Sequence, residues 1–300
     1  MSVVPRQTEQ TVASHRGIDT WDDLAILSAF ADGQQRALDA VRNALPAISS
    51  AAQVIASKLS AGGRLIYAGA GTSIRVGVQD GAELPATFGL AEDRIAYCIA
   101  GGRAAMFDTL ADAEDNQTAA RADVEAACCG ADALIAIAAS GSTPYTVAAA
   151  HHARVRGAAT IAIVNNAGSP LGEACDQEIL LASGPEVIGG STRMGAGTAQ
   201  KAALNFLSTL VNIRLGAVHD GMMVNLKADN AKLKLRARSI VAAISGASDG
   251  RAASALEACD GHVKPAVLLC SGAKSYPDTQ HLLTLTQGNL RLALERLRSA

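Results

Sequence analysis

The sequence predicts an α/β fold, a three-layer αβα sandwich around a mainly parallel five-stranded sheet, with N-terminal helices before it and a small C-terminal helical region after it. Three observations carry that expectation. Five short runs, at 64–68, 95–100, 133–138, 159–164 and 178–181, are mostly continuous in apolar residues, the pattern of parallel strands covered on both faces. Helical stretches such as 147–156 separate them, as βαβ units require. The chain is 49% hydrophobic but only 3% aromatic, so its core must be filled by Ala, Val, Ile and Leu.

The first quarter reads as helix. Asp22 and Asp23 precede Leu24, Ile26, Leu27 and Phe30, placing acids near a helix start. A second amphipathic stretch runs from 37 to about 59, marked by Leu38, Val41, Leu45, Ile48, Val54 and Leu59, and stops at Gly62-Gly63. After the strand region, 196–214 is a long and largely apolar helix, expected to be buried in the protein or between two copies of it. Beyond Lys234 the pattern is short, alanine-rich and helical, interrupted by Gly246, Gly250, Gly261 and Gly272. The expected organisation is an N-terminal helical segment over 1–50, a central α/β domain over 51–233 and a small helical domain over 234–300.

Charge and cysteine usage exclude several classes. Twenty-six basic against 28 acidic side chains give a net charge of −2, with no basic run that would suit nucleic acid. An anionic ligand must therefore be captured by local groups and not by the field of the whole protein. Residues 1–10 are polar and lack the apolar core of a signal peptide, and no uncharged apolar stretch is long enough for a membrane span. The six cysteines (Cys98, Cys128, Cys129, Cys175, Cys259 and Cys270) show no metal-ligand spacing and read mostly as small core residues. No metal, cofactor, nucleic-acid or membrane partner is expected, and the cytoplasm is the expected compartment.

In parallel sheets ligands bind beyond the carboxyl ends of the strands, which directs attention to two loops. The first strand runs into Gly69-Ala70-Gly71-Thr72-Ser73, where glycines allow a tight turn and let backbone N–H groups approach an anion. Gly69 and Gly71 also fit the start of a dinucleotide fingerprint, but its third glycine is missing. The competing reading is a glycine turn with a serine cap. The third strand runs into Ala138-Ala139-Ser140-Gly141-Ser142-Thr143-Pro144, with proline at a plausible first helical position. Two such loops in one sheet suggest the halves of a phosphate cradle, with Gly71, Thr72, Ser73, Ser140, Gly141, Ser142 and Thr143 supplying hydroxyls and N–H groups.

Longer stretches carry a specific resemblance. Gly69–Ser73 followed by Asp80-Gly81-Ala82-Glu83-Leu84-Pro85, then 138–145, then Gly184-Pro185-Glu186 and Gly190-Ser191-Thr192-Arg193-Met194 with 196–201, together resemble the N-acetylmuramic acid 6-phosphate etherases, a family of the sugar isomerase (SIS) fold. The resemblance covers about residues 8 to 265. It implies a phosphosugar substrate, a homodimer, and cleavage of the D-lactyl ether of N-acetylmuramic acid 6-phosphate to N-acetylglucosamine 6-phosphate and D-lactate. It places Glu83 on the family's acid/base glutamate and Glu114 on its second active-site glutamate. One carboxylate would remove the proton beside the aldehyde of the opened sugar while the other protonates the departing lactate oxygen. Leu84, Pro85 and Phe88 are expected to desolvate Glu83. Glu186, Ser191, Arg193 and Lys201 are further candidates to line the site, the alternative for the charged ones being a salt-bridge network around the long helix. His219 matches no motif and reads as a solvated loop residue.

The chain departs from the family's pattern at four places. Ile74 stands where glycine is usual before Arg75, Ser142 replaces an arginine, Gly195 a lysine and Asn225 an aspartate. Loss of the two cations leaves open an isomerase or lyase acting on another amino-sugar phosphate. A sugar-phosphate-sensing regulator is the reading from a different class; retention of both Glu83 and Glu114 argues against it.

Overall fold

The computed structural model describes residues 6–108, 110, 112–226 and 230–299. The chain divides into two compact units, one of Met1–Gly81 with Asp93–Ser208 and another of Ala82–Glu92 with Thr209–Ala300.

Two helices open the first unit. In α1 (Asp23–Asn43) the Asp22 side chain caps the start, accepting a hydrogen bond from Ala25 N at 3.0 Å. The expected stretch from 37 to 59 is divided at Ala44, where α1 ends and α2 (Leu45–Ser60) begins. The apolar period continues across the break; Pro46 marks it, since a residue without an N–H is tolerated only in a helix's first turn. The strands fall within a residue of the apolar runs: β1 (Leu65–Gly69), β2 (Ile95–Ile99), β3 (Ala133–Ala138), β4 (Ala159–Val164) and β5 (Gln177–Leu180). All neighbouring pairs are parallel, in the order β2-β1-β3-β4-β5. Helices α3 (Gly71–Phe88), α4 (Gln117–Ala127), α5 (Pro144–Val155), α6 (Pro170–Ala174) and α7 (Gly195–Arg214) follow the five strands in turn.

Every residue of β1 and β3 is buried, which is why both read as unbroken apolar runs. Ile66, Ala68, Leu134 and Ala136 point to one face, where they cluster with Val124 of α4 and Tyr145 and Ala149 of α5. The alternate set, including Leu65, Ile135 and Ile161, faces the opposite side, and α2 packs against β3, β4 and β5. A sheet covered on both faces makes the three predicted layers.

The strand order decides where a ligand can sit. From β1 the chain steps outward to β2, then returns past β1 to β3 and continues the other way. Connections from β1 and β3 therefore diverge, leaving a crevice at their adjacent carboxyl ends. The two loops singled out in the sequence are the ones that follow these strands.

In the second unit, β6 (Val218–His219) and β7 (Met222–Met223) form a small antiparallel hairpin. The helices expected over 234–300 are α8 (Ala231–Ser245), α9 (Asp249–Ala258), α10 (Val263–Cys270), α11 (Tyr276–Leu285) and α12 (Leu290–Ser299). Side chains of Asn230, Ser248 and Ser275 cap α8, α9 and α11. Val241, Ala252, Val267, Leu290 and Ala293 belong to its core. His219 is not the solvated loop residue expected: it lies in β6, buried, with Nε2 3.4 Å from Asp220 Oδ2. Burial lowers its pKa below the ordinary histidine value, against the pull of Asp220.

Candidate active site

A cavity of about 350 Å³ opens at the crevice between β1 and β3. Gly71, Thr72 and Ser73 line it from the first loop, Ser140 and Thr143 from the second, and Glu114 from the segment before α4. Gly71 has φ +54°, and a Cβ there would lie 3.0 Å from Glu114 Oε1. The glycine therefore provides both the turn into α3 and the room that lets a carboxylate stand beside it. At Gly141, φ is +66° and a side chain would collide with Ser169, so this turn also admits only glycine.

The second loop is narrower in role than expected. Ser142 donates its backbone N–H to Ser140 Oγ at 3.2 Å, and the two hydroxyls lie 3.3 Å apart. The Ser142 side chain faces a separate cavity of about 360 Å³, shared with Gln117, Arg121 and His151. Neither Ser142 nor Gly141 lines the crevice, leaving Thr72, Ser73, Ser140 and Thr143 as the hydroxyl donors of the two loops.

Arg75 was not among the candidates, yet it lines the same cavity. Its Nη2 donates to Ala105 O at 3.0 Å, while Nε is buried without a protein partner. The signal was present in the spacing: Arg75 lies four residues after Gly71, on the same face of α3. Glu9, Asp108 and Thr192 also reach the cavity. Thr8, fully buried, accepts from Asn166 Nδ2 at 3.1 Å, and that amide also donates to Ala139 O at 2.9 Å, tying the N-terminal segment to the end of β3.

The remaining candidates lie elsewhere. Buried Glu186 neither lines the cavity nor forms an ion pair among the described residues. Its carboxylate accepts from Gly195 N and Ala196 N, both at 2.9 Å, and so caps α7. Arg193 and Lys201 are exposed and Ser191 half-buried, outside the cavity lining to which Thr192 belongs. Glu83 is exposed, twelve residues beyond Gly71 on α3 in the stretch Ala82–Glu92 of the second unit, and is not among the residues that line the cavity. Leu84 and Phe88 are buried, but Glu83, just before them in sequence, is exposed, so they do not enclose it. Within one chain the cavity thus holds Glu114 without Glu83.

Asp80, in the same motif as Glu83, is a core residue. It accepts from Tyr67 Oη at 2.8 Å, Asn205 Nδ2 at 2.8 Å and Ser208 Oγ at 2.9 Å. Burial, reinforced by this carboxylate, pushes the Tyr67 phenol well above its ordinary value.

Residues 47–153 match the model of the glucokinase regulatory protein N-terminal SIS domain, and 109–212 match that of the SIS domain. An N-acetylmuramic acid 6-phosphate etherase of Deinococcus radiodurans is 45% identical over 266 residues, 88% of this chain and 87% of the relative. The N-acetylmuramic acid 6-phosphate etherase 1 of Vibrio cholerae serotype O1 is 39% identical over 96% of this chain and 97% of its own length. The chain belongs to the N-acetylmuramic acid 6-phosphate etherase family. The fold agrees with a solved protein of Bacteroides fragilis NCTC 9343, described as a candidate phosphosugar isomerase involved in capsule formation. That protein is 18% identical at a TM-score of 0.50, over 65% of this chain and 94% of the other.

Within this etherase family, the chain's substitutions acquire physical explanations. Ile74 is buried inside α3 and has no positive φ, because Gly71 takes that conformation three residues earlier. Ser142, where an arginine is usual, faces the neighbouring cavity, and Arg75 is the guanidinium that lines the crevice. At Gly195 a Cβ would lie 3.1 Å from Glu186 Oε2, beside the cap of α7. Asn225 is exposed in the second unit.

Proposed function

We propose that the chain is an etherase, a carbon–oxygen lyase that converts N-acetylmuramic acid 6-phosphate to N-acetylglucosamine 6-phosphate and D-lactate. The observation that carries this reading is Glu114 standing against Gly71 in a crevice lined by five hydroxyl side chains and Arg75. Hydroxyls and backbone N–H groups of the two loops hold the phosphate, with Arg75 as the charge-assisted donor. In the ring-opened sugar the aldehyde acidifies the C2 proton, and Glu114 removes it. The C3–oxygen bond breaks as the leaving oxygen takes a proton from a carboxylic acid, and lactate departs from a C2–C3 alkene. Water then adds at C3 while C2 regains a proton.

Glu83 is the acid in this reading, delivered by a second copy of the chain, because in its own chain it is exposed far along α3. A homodimer also accounts for α7, which leaves Phe206 and Ile213 exposed at seven residues' spacing on one helical face. Among the described residues no helix is long and apolar enough to cross a membrane, which accords with a cytoplasmic enzyme.

The test is incubation with N-acetylmuramic acid 6-phosphate in deuterated water, following D-lactate release and exchange at C2. Glu114→Gln should lose both; Glu83→Gln should retain exchange and lose release. Mixing the two inactive variants should restore about a quarter of wild-type release if each site draws one glutamate from each copy. Absence of lactate release by the wild type would remove the etherase reading, and failure of the mixture would remove the shared site alone.

A further inference from the structure

The second unit contains a charged group that the proposed reaction does not use. Lys264, the second residue of α10, is only 6% exposed, and its Nζ donates to Gly288 O at 2.7 Å. No carboxylate forms an ion pair with it among the described residues, so one carbonyl is its only partner there. A buried ammonium without a counter-charge is costly, and burial pushes this one down to about 8.

Lys264 also lines a cavity of about 800 Å³. The polar groups around it are donors or neutral: Asn225, His262, Tyr276, Gln280 and Thr284, with no aspartate or glutamate among the described residues of the wall. At the start of α10, His262 provides no side-chain cap, Pro265 has no N–H and Ala266 N donates to His262 O, so the backbone N–H groups of Val263 and Lys264 add two further donors. His262 itself is turned to Cys259 O through Nδ1 at 3.0 Å, leaving Nε2 as its other polar atom. A cation, two helix N–H groups and amide and hydroxyl side chains, with no opposing acid among the described residues, are the chemistry of an oxyanion site. A compact ammonium beside helix N–H groups favours phosphate, and the neutral polar wall favours a hydroxylated body attached to it.

We propose that this cavity binds a small phosphorylated polyol or sugar, with Lys264 as the ion-pair partner of its phosphate. The site lies wholly in the second unit and is separate from the crevice of the first, so it stands or falls independently of the etherase reading.

The full chain, labelled at lysine Cε and Nζ, would be titrated by NMR with and without glucose 6-phosphate, the Lys264 signal being assigned by its absence in Lys264→Met. The free protein should show one lysine titrating near 8, and saturating glucose 6-phosphate should move it back toward the ordinary 10.5. The shift should persist in Thr143→Val, which alters only the crevice. By calorimetry, Lys264→Met should lose one of two binding events, with affinity there falling ~10–100-fold, and Lys264→Arg should retain part of it. An unmoved Lys264 pKa would overturn the proposal. So would an equal shift from chloride at matched ionic strength, or a response to D-lactate with none to glucose 6-phosphate. The lysine titration needs only the wild-type protein, so the proposal remains testable if a variant fails to fold.

Discussion

The two units treat buried charge in opposite ways. In the first, each of three buried carboxylates is surrounded by donors. Asp80 accepts from a phenol, an amide and a hydroxyl, and Glu186 from two helix N–H groups. Asp132 accepts from Arg64 N and Cys129 N, both at 2.8 Å, and from Arg64 Nη2 at 3.2 Å. In the second unit, Lys264 is as deeply buried but has one carbonyl. Saturated charges of the first kind fix the fold, since each carboxylate oxygen they bring inside accepts at least one hydrogen bond. A charge left with most of its donors free, facing a cavity, is held at a cost to stability, and such a cost is a sign of a ligand. The difference separates structural from functional polar groups without reference to sequence motifs: Glu186 and Asp80 sit in the signature stretches and are structural.

The largest effect should come from the acid that the first unit leaves unsaturated. Glu114→Gln should lower lactate release by about 10³-fold with little change in thermal stability, because the side chain is exposed at the cavity mouth. A matched loss of stability would place Glu114 with the structural acids and break the distinction. Next in size, Asp80→Ala strands a buried phenol, an amide and a hydroxyl, and should cost about 3 kcal/mol in denaturant unfolding.

Lys264→Met should act in the other direction. Its amine titrates near 8 in the folded chain against 10.5 when free, so the unfolded chain binds more protons between those values and wild-type stability rises with pH across them. Below pH 8 the full penalty applies. Removing the charge should therefore stabilise the protein at pH 7 by about 2 kcal/mol, after allowing about 1 kcal/mol for the bond to Gly288, and should flatten the rise between pH 8 and 10.5. A variant less stable than wild type would mean that Lys264 is saturated in solution after all. The smallest effect concerns Asp132. Burial works to raise its carboxyl, but hydrogen bonds from Cys129 and Arg64 outweigh this and hold it below the ordinary value of 3.8. Its contribution is complete above that value and is lost as pH falls through the lower folded one. Asp132→Asn should blunt the acid limb of the stability curve below about pH 4, by about 1 kcal/mol.

Much of the sheet was legible because parallel strands buried on two faces must be written in continuous apolar residues, and β3 and β4 coincide with their expected runs residue for residue. Local periodicity could not show the break at Ala44, since both helices present apolar residues at compatible spacing; only Pro46 marked it. The glycine turns at Gly71 and Gly141 were legible in the sequence, but only Gly71 lines the crevice, and less was legible where a side chain's direction mattered. Ser142 and Thr143 are neighbours of similar chemistry that face different cavities. Glu186 escaped because its partners lie nine and ten residues downstream, and nothing in a motif says that a carboxylate will fold back onto a helix start. His219 was misread because a hairpin of two-residue strands has too few positions to show an alternation.

The attachment of Thr8 to Asn166 has a consequence for where this molecule can be cut. Likeness to known SIS domains starts at residue 47, and a fragment trimmed to that point would retain all five strands and both loops. It would also lack Glu9, a wall of the crevice, and would expose the Asn166 amide that holds the segment against Ala139. The five strands and a complete crevice thus have different minimal lengths in this chain, and the shorter one is the one that likeness to the SIS domain model outlines.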